Sequence, residues 1–197
     1  MCRAAVAVAV LASAPASADP TLTAGASGEL VPSVSNRYSG GLPGAPSETA
    51  SGPVAYGVGA LVDVNVASHV SIGFAPRYLL GLDAGTAPNA SASQLDLRVR
   101  LALHTHAARA WTIYAFAAPG DSTLFLDGRM ATTHSALALE LGAGAKLHAT
   151  RSFAITAEVG YQMTQSFGGV SVVGPGDVID YSDSFLSFSL GFVTTVL

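Results

Sequence analysis

The sequence predicts an all-β protein, an eight-stranded antiparallel up-and-down transmembrane β-barrel. Long segments alternate apolar and polar residues with a period of two, and the connections between them alternate between short and long. The composition agrees, because only 11% of the 197 residues are charged and 21 are glycine, whereas soluble domains average about 25% charged residues. No stretch approaches the roughly 18 consecutive apolar residues of a transmembrane helix.

The first residues have the features of a secretory signal peptide, predicted over residues 1–18. Arg3 supplies a positive charge, a short apolar core follows it, and Ala16-Ser17-Ala18 forms a cleavage motif. The core is too short to span a membrane as an uncleaved anchor. Residues 19–197 are then expected to form a single barrel domain. Since Cys2 lies in the signal, we expect no thiol or disulfide chemistry in that domain.

The clearest alternation lies in the second half of the chain. Between residues 135 and 148, leucines and alanines occupy one face, and small or charged residues occupy the other; a similar pattern resumes at residues 152–164. Successive side chains of a strand point to opposite faces, so each segment reads as a strand with one continuously apolar face. Repeated strands of this kind are typical of a membrane barrel that is apolar outside and polar inside.

Eight strands are predicted in chain order, at residues 21–31, 54–66, 69–80, 94–103, 109–118, 134–147, 152–164 and 184–197. The short connections are 67–68, 104–108 and 148–151. The long loops are 32–53, 81–93, 119–133 and 165–183. Membrane barrels have short turns at one end and long loops at the other, and an even strand number puts both termini at the short-turn end.

Three local signals modify this pattern. Pro76 falls inside the third strand and predicts a bulge or an irregular ladder there. Pro119-Gly120 is expected to interrupt the fifth strand, in which both faces are bulky; we place Trp111 outward. Asp127-Gly128 between apolar residues predicts a tight hairpin turn, so strands five and six are expected to project beyond the bilayer as a ribbon.

The aromatic residues near the strand ends are expected to form two girdles at the membrane interfaces. Those at the long-loop ends are Tyr56, Tyr78, Tyr161 and Phe185, and those at the short-turn ends are Trp111 and Phe153.

The polar face, assigned to the lumen, carries five acids and four bases, namely Glu29, Asp63, Asp96, Glu140, Glu158, Arg77, Arg98, Arg100 and Lys146. Burying unpaired ions is costly, so these residues are expected to form an ion-pair network. A turn centred near Ala149 would set Glu140 opposite Glu158, with Arg98 or Arg100 as the bridge and Lys146 below. A static packing network is preferred over a gate.

The whole chain after the signal resembles the small eight-stranded outer-membrane β-barrels of Gram-negative bacteria, the OmpA-like and OmpX-like group. The resemblance rests on the signal, the eight alternating strands, the short and long connections, and the aromatic-rich last strand. Members of that group usually end in Phe, whereas this chain ends in Leu197. This difference is expected to affect how strongly the barrel-insertion machinery recognises the chain. The periplasmic peptidoglycan-binding domain of OmpA is not expected here.

The resemblance implies a bacterial outer-membrane protein without enzymatic activity that supports the envelope or presents surface loops. Its lumen would be filled by charged side chains and would be at most a small, porin-like ion pore. The partners implied are outer-membrane lipid or lipopolysaccharide and, during insertion, the barrel-assembly machinery. We expect a monomer with no cofactor, and the weak net charge of -4 gives no indication of nucleic-acid binding.

Two alternatives remain open from the sequence. One is a soluble periplasmic lipocalin-like barrel that binds a ligand, with the apolar face inside. The other is a lipid A-modifying outer-membrane hydrolase, which His134-Ser135 suggests. Adjacent strand residues point to opposite faces, however, and therefore do not form a nucleophile–base pair.

No metal site is predicted. The loop acids Asp177, Asp180 and Asp183 could offer oxygen ligands to Ca²⁺, but solvated loop charges explain them better. The histidines expected at the short turns, His104, His106 and His148, lack the spacing of a metal site and are interpreted as surface residues.

Overall fold

The computed structural model describes residues 21–40, 48–52, 54–83, 91–105, 110–127, 132–165, 170–171 and 178–196. The predicted signal peptide lies outside these residues. Side chains are described for 21–35, 54–82, 92–105, 110–125, 136–165 and 182–196. Within the described residues, no helix is long and apolar enough to cross a membrane.

The described chain forms twelve strand segments: β1 Leu22–Val31, β2 Val34–Gly40, β3 Glu48–Gly52, β4 Ala55–Ala67, β5 Val70–Phe74, β6 Arg77–Asp83, β7 Ser91–His104, β8 Trp111–Asp127, β9 Thr132–His148, β10 Phe153–Gln165, β11 Val170–Ser171 and β12 Val178–Thr195.

These segments build a closed barrel with eight strand positions. The order around the barrel is β1, β4, β5, β7, β8, β9, β10 and β12, and β6 continues the position of β5 between β4 and β7. Antiparallel pairing of β1 with β12, from Thr23↔Thr195 to Leu30↔Phe188, closes the circle. The predicted fold class is therefore confirmed. Both described termini lie at the short-turn end, where the Val196 amide donates to the Leu22 carbonyl at 2.8 Å.

The third predicted strand is divided at Ala75 and Pro76, as the proline suggested. The register does not shift there, because β5 and β6 continue the same pairing with β4 and with β7. The Ala75 amide still donates to the Arg98 carbonyl at 2.8 Å, and the Pro76 carbonyl accepts from the Ala60 amide at 3.0 Å. The register shift comes later, between Leu80 and Leu82, where Gly81 has a φ of 78° that favours glycine.

The long connections contain more strand than the sequence predicted. The region predicted as loop 32–53 forms the hairpin of β2 and β3, and β2 extends the barrel wall along the first part of β12. The predicted interruption at Pro119 is wrong, since β8 runs through it. The β7–β8 ladder has only a gap there, between Arg98↔Gly120 and Leu101↔Ala117, and resumes without a shift, because proline has no amide hydrogen to donate. Pairing of β8 with β9 continues to Leu126↔Thr132, so the two strands form a paired ribbon. Gly128 of the predicted turn lies outside the described residues, and projection of the ribbon beyond the bilayer stays a prediction.

The apolar faces of the strands point away from the barrel axis. Val58 on β4 and Leu190 on β12 are 65% and 66% exposed, and Leu101 and Ile113 are also exposed. Most inward-facing charged and amide side chains are buried; Arg77, Asp96 and Gln162 are at most 1% exposed. This orientation is that of a membrane barrel and is opposite to the lipocalin-like alternative, which needs the apolar face inside.

Five of the six predicted girdle aromatics have exposed rings on the outer face, namely Tyr56, Tyr78, Tyr161, Trp111 and Phe153. Phe185 is the exception, because it is only 2% exposed and packs inside the barrel. The reason is strand parity: Phe188, which is exposed, lies an odd number of residues away on β12, so the two rings point to opposite faces.

Candidate functional site

The described barrel interior consists of an apolar cap at the long-loop end, a charged section below it, and a polar mouth at the short-turn end. The apolar cap is a cluster of buried side chains that closes the upper lumen: Val31, Val34, Ala55, Leu79, Leu82, Ala92, Leu124, Ala136 and Phe185. This cap was not predicted from the sequence, because only the polar faces of the strands were expected to point into the lumen.

Arg77 is the centre of the upper charged section. Its Nη2 and Nε donate to Asp96 Oδ2 at 2.7 and 3.0 Å, and its Nη1 lies 3.3 Å from Glu140 Oε1. Its Nη2 also contacts Gln162 Oε1. The guanidinium lies 5.2 Å from the centre of the Phe185 ring, so it stands directly beneath the apolar cap. These contacts give the N–H groups of the buried guanidinium hydrogen-bond acceptors on several sides.

Glu140 receives a second arginine. Arg98 Nη1 pairs with its Oε2, and Ser187 Oγ donates to its Oε1 at 2.8 Å. The Arg98 Nε donates to the Ala75 carbonyl at 3.1 Å, an acceptor that is exposed to the lumen at the β5–β6 break. A Cβ on Gly160 would come within 2.2 Å of Glu140 Oε1, so the absence of a side chain at Gly160 gives the carboxylate its space.

A lower charged section forms around Glu158. Arg100 Nη2 lies 2.8 Å from Glu158 Oε1, and the Tyr114 hydroxyl donates to the same oxygen at 2.6 Å. The Arg100 guanidinium lies 4.2 Å from the centre of the Phe116 ring. Below it, Lys146 Nζ lies 5.3 Å from the centre of the Tyr114 ring. Both cations therefore stack on aromatic faces inside the barrel.

The predicted pairing of Glu140 with Glu158 is wrong. Glu140 faces Gln162, and Glu158 faces Gly144. The β9–β10 turn is centred on Arg151 rather than on Ala149, and Thr150 Oγ1 fixes it by accepting from the Phe153 amide at 3.0 Å. The two carboxylates therefore lie at different depths, and each has its own arginine partner.

The other predicted lumen residues are inward-facing but lie outside these ion pairs. Glu29 accepts from Ser27 Oγ at 2.8 Å. Asp63 is buried, and neither of its carboxylate oxygens has a hydrogen-bond partner within the described part of the chain. Among the described side chains, no ion pair within 4.0 Å includes Glu29, Asp63 or Lys146.

Tyr114 and Phe116 point into the lumen, as the outward placement of Trp111 on the same strand implies, but their contacts with the charged residues were not predicted. They are buried on the inner face of β8, opposite Gly144 and Gly142 of β9. A Cβ on either glycine would come within 2.6 Å of the facing ring. The glycines on the polar face of β9 were the signal that could have located these rings, because a large side chain inside a narrow barrel requires a small one opposite.

Little free volume remains within the charged section. Two cavities there have volumes of about 40 and 20 Å³, comparable to the space of a single water molecule, about 30 Å³. A larger cavity of about 350 Å³ lies at the short-turn mouth. Described side chains therefore leave little room around these two cavities, as the diameter of an eight-stranded barrel allows.

Two of the three turn histidines line that mouth. His104 is only partly exposed; its Nε2 lies 2.8 Å from Ser71 Oγ, and its ring centre lies 5.5 Å from that of Tyr114. His148 Nε2 lies 2.9 Å from Thr112 Oγ1. The interpretation of His104 as a surface residue is therefore wrong, while His106 lies outside the described residues.

The described residues contain no group of three or more His, Cys, Asp or Glu side chains that could hold a metal ion. Asp183 is buried on β12, Asp177 lies outside the described residues, and the side chain of Asp180 is not described. The side chains of His134 and Ser135 likewise fall outside the described ones, although their backbone belongs to β9.

Comparisons with known proteins agree with this architecture. The structure of the outer membrane protein OprG from Pseudomonas aeruginosa is similar with a TM-score of 0.62 and 14% identity, covering 90% of this chain and 96% of OprG. Neisserial surface protein A, NspA, gives a TM-score of 0.56 and 11% identity, covering 90% and 99%. The structure of AlkL, solved in lipid bilayers, gives a TM-score of 0.50 and 13% identity, covering 90% of each chain.

Among curated proteins, no sequence matches this chain significantly. The family model described as the outer membrane protein beta-barrel domain matches residues 4–193. The chain therefore belongs to the outer membrane protein β-barrel family, whose members reside in the outer membrane of Gram-negative bacteria.

Proposed function

We propose that this protein is a non-enzymatic outer-membrane barrel with a static charged plug, which stabilises the envelope and presents structured loops outside the cell. Its lumen conducts small ions at most. The observation that carries the proposal is the buried network centred on Glu140, which joins residues from five of the eight strand positions: Arg77, Asp96, Arg98, Glu140, Gln162 and Ser187.

The energetics favour a static plug over a gate. Removing one partner of a buried ion pair typically costs about 3–5 kcal/mol, and Glu140 is held by two arginines at once. Opening the lumen would have to break these contacts together. The apolar cap above Arg77 adds a second closure that a rearrangement of charges alone does not remove.

The length of the ribbon supports a role outside the membrane. β8 and β9 have 17 residues each, whereas about 9–11 residues cross a bilayer as a tilted strand. The excess lies at the long-loop end, the same end at which β2 pairs with the first part of β12. A paired ribbon is a rigid platform for surface contacts, and NspA, which shares the fold, is described as a surface protein.

The proposal includes the partners implied by the resemblance. These are outer-membrane lipid or lipopolysaccharide around the apolar belt and the assembly machinery during insertion. The mature protein would begin after a cleaved signal peptide and act as a monomer.

An enzymatic role is disfavoured because the Ser71 hydroxyl beside His104 is buried, at 1% exposure, and a nucleophile must reach its substrate.

Single-channel recording in planar bilayers tests the plug. We expect the parent protein to show one small, steady conductance level, because switching would have to break several buried ion pairs at once. Arg98→Ala should raise that level, since it opens a gap beside Glu140. Leu97→Ala, on the outer face of the same strand, is the matched control and should leave conductance unchanged.

Two results would contradict the proposal. One is reversible opening and closing of the parent that Arg98→Ala abolishes, which would make the network a gate. The other is a large conductance of the parent, which would mean that no plug closes the lumen.

A further inference from the structure

The cavity at the short-turn mouth has a distinctive lining. Its volume is about 350 Å³, within the lower range of small-molecule pockets, roughly 300–1,000 Å³. Among the described residues, its lining includes four nitrogen bases, Lys146, Arg151, His104 and His148, and no carboxylate. The short-turn end faces the periplasm in outer-membrane barrels, so this mouth is accessible to periplasmic solutes.

Lys146 is the unusual member of this lining. It is 9% exposed, yet no carboxylate oxygen of the described residues lies within 4.0 Å of its ammonium group, in contrast to Arg77, Arg98 and Arg100, which all have ion pairs. Its described contact is with the ring of Tyr114. A buried ammonium group without a direct counter-ion is costly, and here the group lines an open cavity.

Most of the remaining polar lining consists of hydroxyl groups, which both donate and accept hydrogen bonds. Those of Thr23 and Thr105 already donate to the carbonyls of Asp63 and Ile113, at 3.3 and 3.1 Å. Hydroxyl groups from six strands and turns surround the cavity, belonging to Thr21, Thr23, Ser68, Thr105, Thr112, Ser152 and Thr195. Hydroxyls, imidazoles and a lysine ammonium together form charge-assisted hydrogen bonds with phosphate or carboxylate oxygens. The same set offers little to a cation, because the lining lacks a described acid.

We propose that the short-turn mouth is a binding site for a small solute that carries a phosphate or carboxylate group, with Lys146 as its charged anchor. The bound oxyanion would supply the direct ion-pair partner that Lys146 lacks among the described residues, since Asp63 and Glu158 act on its ammonium group only from beyond 4.0 Å. The site borders the lower charged section through Lys146 and Tyr114, but it does not depend on whether the lumen conducts ions.

Calorimetric titration of the protein, refolded in non-ionic micelles, with inorganic phosphate and with succinate at constant ionic strength tests this site. We expect saturable binding to the parent. Lys146→Met, which keeps the side-chain length but removes the charge, should weaken binding about tenfold or more, the effect of losing one charge-assisted hydrogen bond. Lys146→Arg should restore it. Arg37→Gln, which removes a charge from β2 at the opposite end, should have no effect.

A gel-mobility shift on heating must show that each variant is folded. Equal binding by the Lys146→Met variant and the parent would overturn the proposal, as would the absence of saturation in a folded parent. Glycerol phosphate and a short-chain phosphatidylglycerol then separate the two sources of the oxyanion. Binding of both indicates a free solute, whereas binding of the lipid alone indicates a lipid headgroup at the rim; either result supports an oxyanion site.

Discussion

Inside the barrel, large side chains lie next to glycines on neighbouring strands, and these glycines determine where each large side chain can be placed. Tyr114 reaches over Gly144 to Glu158, two strands away, because Gly144 has no side chain to block its ring. Glu140 fits against β10 because residue 160 is glycine. The resulting contacts give the arginines both a carboxylate and an aromatic face. At this scale, the glycines of the polar face are as important to the charged plug as the charges themselves.

A side chain at Gly144 is therefore expected to destabilise the barrel. Gly144→Val would put a Cβ within 2.6 Å of the Tyr114 ring and hydroxyl, and such overpacking typically costs about 1–3 kcal/mol. Gly28→Val is the control, since the nearest atom to its Cβ is the Leu190 carbonyl at 4.0 Å. Urea unfolding in lipid vesicles measures both. Equal stability of the Gly144→Val variant and the parent would show that Tyr114 is not held in place.

The strands themselves were largely predictable from sequence, because period-two alternation in β4, β7, β9 and β10 identifies both the strand and its outer face. Register was less accessible. The shift of the turn centre from Ala149 to Arg151 depends on local hydrogen bonds within the turn, to the Phe153 carbonyl and the Thr150 hydroxyl. It changes which residues face Glu140 and Glu158. Alternation is unaffected by such a shift, so it carried no information about the pairing.

The orientation of β8 was predicted correctly, because Trp111 outward implies Tyr114 and Phe116 inward. Their contacts with the charged residues were not predicted, since both faces of β8 carry bulky residues. The apolar cap was not predicted either. Leu79, Leu124 and Phe185 are apolar yet inward, because above the charged section the lumen is closed by a small core. Assigning every apolar side chain to the outer face is therefore wrong at that level of the barrel.

The ribbon formed by the ends of β8 and β9 is expected to be dispensable for barrel formation. Residues 125–133 can be replaced by Asn-Gly, because Leu124 and His134 are register partners that a two-residue turn can join. The shortened protein should still refold in micelles and migrate as a compact band that shifts on heating. Deleting residues 137–145 from the membrane-crossing part of β9 is the contrast and should abolish the band. Loss of the band in the ribbon variant would mean that the ribbon is part of the folding unit.

The pairing of β1 with β12, which closes the barrel, stabilises the molecule as a whole. An open sheet in a bilayer would leave unpaired amide and carbonyl groups at its edges, each costing several kcal/mol in hydrocarbon. Pairing of β1 with β12 removes those edges, although β1 is rich in small residues and buries little by itself. The barrel is thus held together there by its backbone, and the first strand depends on the last one.

Cysteine cross-linking tests this closure directly. The partners Ala26 and Phe192 face each other across β1 and β12, and paired residues in antiparallel strands lie about 4.5–5.5 Å apart, within disulfide range. In the mature chain, expected to lack cysteine, Ala26→Cys with Phe192→Cys should form an intramolecular disulfide after folding in micelles. Ala24→Cys with Phe188→Cys, which are not partners, should not. Cross-linking of both pairs to the same extent, or of neither, would mean that β1 and β12 do not close the barrel in this register.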